Sequence, residues 1–314
     1  MARAMSRWAL LALAFCACAL RAAEDPAAGM EVVLVEGEHP GPALWRVSKR
    51  SHALFILGTH APLPKDLVWR SKEVESVIAE ANEVLGVYSV SLRVDQEAAF
   101  QSRRGRLKEI LPARTYEQWR TLRVQYIGKD EETDRLLPAA AALLLQARAY
   151  ERSGLTYSDA VWQRIYQLAG QHGVPVRPQN YETQLVAGEW RRTGRARQNG
   201  VRYLSETMDR LSSDIRQARA SANAWATGDI AALKEGAQTD ASYARSLAYS
   251  WPFLNEQDVQ RLHTDAENKL LTAIERAVNR NEVTFAALPI YLLLRKDGVI
   301  ARLRAAGYSI EDPA

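Results

Sequence analysis

The chain has 314 residues, 47% of them hydrophobic and 25% charged, with a formal net charge of +4. Those values fit a globular protein and exclude collagen-like, low-complexity and disordered classes. The length allows one large domain or two small ones.

The first 23 residues read as a secretory signal and not as part of the fold. Arg3 and Arg7 form a short positive region, Trp8 to Leu20 is apolar and uncharged, and Ala17, Ala19, Ala22 and Ala23 offer small residues for cleavage. The apolar run is shorter than the roughly 20 residues that a membrane span needs. No transmembrane span is expected in the mature chain. Removing Arg3, Arg7 and Arg21 lowers the charge from +4 to +1. Basicity is therefore poor ground for a nucleic-acid partner, and none is expected. Both cysteines, Cys16 and Cys18, fall inside the signal, so the mature chain would carry no disulfide and no thiolate. The expected location is periplasmic or secreted. Acylation at Cys18, giving a lipoprotein, is the alternative.

Residues 24–42 read as a flexible lead-in, with Val32 to Val35 a candidate strand. Two strands then follow, Ala43 to Val47 and Ala53 to Leu57, joined by the polar turn Ser48 to His52. The second continues as Gly58-Thr59-His60-Ala61-Pro62, a glycine exit from an apolar strand. Ser71 is a candidate N-cap for a helix carrying Val74, Val77 and Ile78 at helical spacing. Glu83 to Tyr88 is the next strand, which completes a βαβ unit and makes the sheet partly parallel.

From about residue 92 to 282 the reading is a helical insertion. It comprises helices at Thr115 to Tyr126, Asp130 to Ser153 and Ser158 to Gln171, and a short strand at Val174 to Val176. A long tract from Thr183 to Ala226 follows, expected to break near Gly194 or Gly200. An amphipathic helix from Asp258 to Arg280 closes the insertion. Val283 to Leu288 is then a strand, Gly298 to Ala306 a helix, and Tyr308 to Ile310 a final strand. The expectation is one α/β domain over residues 43–314. Its central sheet is mixed and partly parallel, built from the N- and C-terminal βα units.

An ordered set of marks resembles the TraB/GumN family, which includes the Tiki-type metallopeptidases. The marks are Leu44-Trp45 with Gly58-Thr59-His60, then Glu182-Thr183-Gln184, then Trp225 with Gly228-Asp229. Thr284-Phe285-Ala286, Asp297-Gly298-Val299 and Gly307-Tyr308 complete the set. The resemblance implies a divalent metal such as Mn or Co, held by two histidine motifs and a carboxylate. This chain departs from that pattern at each place. The family's first histidine position is Ala61, with His60 one residue early. Its second histidine position is Leu292, and its glycine falls on Pro289. The strand that would carry the acid ends Gly86-Val87-Tyr88. A site built from His60 alone would hold a divalent ion poorly. No metal ligand set and no cofactor is therefore expected, with a Mn or Co site as the alternative.

The candidate catalytic residues are His60, at the exit of the second strand, and Glu182. Gly58, Thr59, Thr183, Arg191 and Arg192 are the candidate binding residues. Each has a plainer reading. His60 can bond a backbone carbonyl, Thr183 can cap a helix, and Arg191, Arg192, Arg195, Arg197 and Arg202 can form a solvated, salt-bridged face. Gly228 and Asp229 can end one helix and start the next over Trp225. The chain reads as a metal-site-degenerate binding protein of the cell envelope, for a peptide, glycan or partner protein. The alternative is a peptidase-like hydrolase rebuilt around His60, Glu182 and either Asp66 or His263.

Overall fold

The computed structural model describes residues 42–67, 69, 72–93, 105–157, 159–184, 194–237 and 256–313. The signal segment, Val32 to Val35, Ser71, Arg191 and Arg192 lie outside the described residues.

The sheet begins with a hairpin, β1 (Leu44–Lys49) and β2 (His52–Thr59), paired antiparallel with Lys49 opposite His52. The two-residue turn puts Arg50 at φ 59°, a left-handed conformation that costs a non-glycine residue about 1–2 kcal/mol. In β2, Ala53, Leu54, Ile56, Leu57 and Gly58 are buried. Adjacent buried residues point to opposite faces, so both faces of this strand are covered.

Next come β3 (Leu63–Pro64), α1 (Lys72–Glu80) and β4 (Glu83–Arg93). The middle of the chain contains α2 (Leu107–Ile110), α3 (Ala113–Tyr126), a 3-10 turn at Glu131–Arg135, α4 (Pro138–Arg152), β5 (Leu155–Thr156) and α5 (Ala160–Gln171). Pro138 sits in the first turn of α4 and starts that helix without kinking it. β6 (Val176–Gln184), α6 (Gly194–Thr227), α7 (Ile230–Ala237) and α8 (Glu256–Arg280) follow. The chain finishes with β7 (Val283–Pro289), α9 (Ile290–Leu294), α10 (Val299–Ala305) and β8 (Ser309–Glu311).

The fold is α/β, with a six-stranded mixed sheet in the order β6-β4-β7-β2-β1-β8. β7 runs parallel to both β2 and β4, and β4 runs parallel to β6. Four carboxyl ends therefore share one edge, the place where α/β folds form their clefts. The first and last described strands meet in this sheet, because β8 pairs with β1. No described helix is long and apolar enough to cross a membrane.

Two expectations are corrected. The short strand at Val174 to Val176 is a nine-residue strand that runs through Gln184 and pairs Thr183 with Leu92. Thr183 is thus a strand residue. Of the two breaks expected in the long tract, the one near Gly200 is absent, because a single helix runs from Gly194 to Thr227, while residues 185–193 before it lie outside the described residues. Gly200 does not break it but lies against Pro138 and Ala139 of α4.

The sheet core gathers Leu54, Ile56, Leu57, Ile78, Leu270, Ile274 and Phe285. A second cluster, with Leu107, Trp119, Leu145, Leu204 and Leu211, lies among α3, α4 and α6. Each large side chain buried this way stabilises the fold by roughly 1.5–3 kcal/mol. At the second cluster, Asp134 is buried and accepts from Tyr116 Oη at 2.7 Å and Trp119 Nε1 at 2.8 Å.

Candidate functional site

β2 delivers the candidate residues to the carboxyl edge of the sheet. Gly58 is buried there, and the reason is close approach. A Cβ at this position would lie 3.0 Å from Ile290 Cγ1 and Cδ1 and 3.0 Å from Trp45 Cζ3. The Gly58 carbonyl accepts the indole N–H of Trp225 at 2.6 Å. Trp225 is fully buried at the end of α6, and Gly228 follows it. Asp229 then starts α7 by accepting the amide of Ala232 at 2.9 Å. The break between these helices is thus built as its residues suggest, and it braces the exit of β2. Thr59 sits opposite Pro289 of β7 and is half-buried.

His60 follows. Its Nε2 is buried and has no hydrogen-bond partner. Burial lowers its pKa to about 4, so the ring is neutral at neutral pH. The backbone-carbonyl partner that the sequence suggests is absent at this nitrogen. Neither Asp66, exposed in the turn after β3, nor His263 is bonded to it. Glu182 lies on β6 opposite Ser91. Three strand steps separate β6 from β2, or about 14 Å of backbone at the usual spacing.

The positions where the family pattern places donors carry carbon. Ala61 is exposed at the surface and Val87 is half-buried beside the bulge in β4. Leu292 is fully buried in α9. Its carbonyl lies 2.3 Å from where a Cβ on Gly298 would be, so only glycine fits there. Tyr88 packs against Tyr181 at a centroid distance of 5.6 Å. Among the described residues, no three His, Cys, Asp or Glu side chains converge on a common point. The described residues at the positions that the resemblance assigns to donors, Ala61, Val87 and Leu292, have no atom that could ligate the metal it implies.

A second polar cluster lies where α8 meets the segment after β7. Glu267 is buried and accepts from Arg295 at 2.7 Å, and Arg295 also bonds Asp297 at 3.0 Å. His263, one turn before Glu267, is buried with neither ring nitrogen bonded. Burial, and then the charge of Arg295, lower its pKa to about 4. Burial and Glu267 push Tyr291 up to about 12. Sequence reasoning missed Glu267 and Arg295. The signal was an acid four residues from a histidine on the buried stripe of an amphipathic helix. Of the arginine face, Arg202 approaches Glu206 at 3.9 Å, one helical turn away.

No curated protein and no solved structure matches the chain. The model of the TraB/PrgY/gumN family does match, over residues 43–312, which takes in both departures from the histidine pattern. The strand that presents His60 and the strand that leads into the helix holding Leu292 stand side by side at the carboxyl edge of one sheet, and over nearly all of its length the chain belongs to the TraB/PrgY/gumN family.

Proposed function

We propose that this family member is an exported, non-catalytic binding protein of the cell envelope. It uses the carboxyl edge of its sheet to hold a peptide, glycan or partner protein. Export is read from the charge and apolar pattern of residues 1–23. The observation that carries the loss of catalysis is Leu292. A fully buried leucine occupies the place of an expected donor, and a hydrocarbon neither binds a cation nor moves a proton. His60 supports this reading, because its buried Nε2 is bonded to no carboxylate among the described residues and its pKa is lowered to about 4. Glu182 would have to span most of the sheet to serve a rebuilt hydrolase.

Calorimetry on the mature chain tests the proposal. Titration with Mn²⁺, Co²⁺ or Zn²⁺ should give no stoichiometric binding. Tight binding that disappears in His60→Ala would overturn it and favour the hydrolase.

A further inference from the structure

His263 and Glu267 stand one turn apart on α8, and both are buried, at 5% and 4% exposed. They therefore share one face of that helix. Glu267 accepts from Arg295 at 2.7 Å, and Arg295 also bonds Asp297 at 3.0 Å. The Glu267–Arg295 pair ties α8 to the segment that joins α9 to α10. That segment is closely fitted, since a Cβ on Gly298 would lie 2.3 Å from the Leu292 carbonyl oxygen. α9 itself sits on the exit of β2, with Ile290 against Gly58. We propose that the Glu267–Arg295 pair is an acid-released latch on α9: a proton taken up by His263 moves Glu267 from Arg295 to the imidazolium, and the carboxyl edge of the sheet opens. The inference stands whether or not that edge is catalytic.

The closed arrangement leaves His263 unsatisfied. Neither ring nitrogen is bonded to a described residue, although a neutral imidazole carries one donor and one acceptor. A proton from solvent turns the ring into a buried cation, which is tolerated only with a counter-charge. Glu267 supplies that charge from the same helix face. Arg295 can yield it, because Asp297 remains as an acceptor and is 79% exposed, open to water.

The surrounding groups do not compete. Tyr291 of α9 is pushed up to about 12 by burial and then by Glu267, so it stays neutral over this range. Arg302 of α10 bonds Asn268, and Lys269 lies over the Tyr181 ring of β6. Both are cations and offer the imidazolium no counter-charge. Burial, and then Arg295, hold His263 at about 4 in the closed form, against an ordinary value of 6.5. Between those values the open form binds the proton and the closed form does not, so falling pH favours opening.

Hydrogen exchange of the mature chain at pH 7 and pH 5, read by mass spectrometry and corrected for the intrinsic exchange rate, tests the latch. Amides of residues 290–298 should lose protection about tenfold or more at pH 5, while those of Leu54 to Leu57 in β2 stay protected over the same period. His263→Leu should abolish the pH response of residues 290–298. Glu267→Gln should leave that segment poorly protected already at pH 7. The parent profile and Glu267→Gln decide the matter even where His263→Leu does not fold by circular dichroism. The proposal is overturned if the parent segment is equally protected at both pH values, or if β2 loses protection along with it. It is also overturned if His263→Leu responds like the parent, or if Glu267→Gln is as protected as the parent at pH 7.

Discussion

At the amino end of β4, the Glu83 carboxylate is buried and fully engaged. It accepts from Arg177 Nε at 2.7 Å, from Arg280 at 2.6 and 2.7 Å, and from Asn281 Nδ2 at 2.7 Å. At the carboxyl end of β2, the Nε2 of His60 is buried and unbonded. One sheet thus carries a satisfied polar group at one end and an unsatisfied one at the other. An unpaired buried polar group costs about 1–3 kcal/mol, so the carboxyl end is where this fold gives up stability. In an α/β fold that is the functional end. Glu83 is structural, fixing β4, β6 and α8 to one another.

The contrast can be broken from the Glu83 side first. Glu83→Ala should cost about 3 kcal/mol in urea unfolding, the lower end for a broken buried pair. Arg177 and Arg280 are more than half exposed, so they can turn to water once the carboxylate is gone. A loss well under 1 kcal/mol would mean that the clamp is not structural.

Trp225→Phe comes next. It keeps a six-membered aromatic ring but removes the pyrrole N–H, leaving the Gly58 carbonyl without that donor and a gap in the core, and should cost at least about 1–3 kcal/mol. If stability is unchanged, the indole bond does not brace the exit of β2.

The smallest effect is in the pH dependence. The pKa of His60 falls from 6.5 to about 4 on folding, so between those values the unfolded chain binds the proton and the folded chain does not. Stability from this group is complete above pH 6.5, declines as the pH drops towards 4, and changes no further below that. His60→Leu should remove its share of that acid-side loss, leaving the share due to His263, whose shift has the same sign. Superimposable stability profiles for variant and parent would show that burial does not hold the imidazole neutral.

Much of the scaffold is legible in the sequence because it depends on local patterns. The apolar run of β2, the spacing of Val74, Val77 and Ile78, and the stripe of α8 each specify an element without reference to the rest of the chain. Turn chemistry placed the end of α6 at Gly228 and the start of α7 at Asp229. The errors arose where partners decide. β6 extends to Gln184 because β4 offers an edge to pair with, and nothing in Tyr181-Glu182-Thr183 announces a strand. The helix at Gly200 continues because α4 brings small residues against it, which offsets the intrinsic cost of a helical glycine.

For the candidate site, the sequence by itself determined which donors are missing, since a leucine or an alanine at a ligand position is a matter of side-chain identity. It also determined the family frame in which those absences have meaning. Only the tertiary structure decided that Leu292 is sealed in the core and that the His60 nitrogen has no partner. It alone brought Glu267 to Arg295. Burial and charge pairing depend on which residues from distant parts of the chain become neighbours, and a linear sequence does not specify those distances.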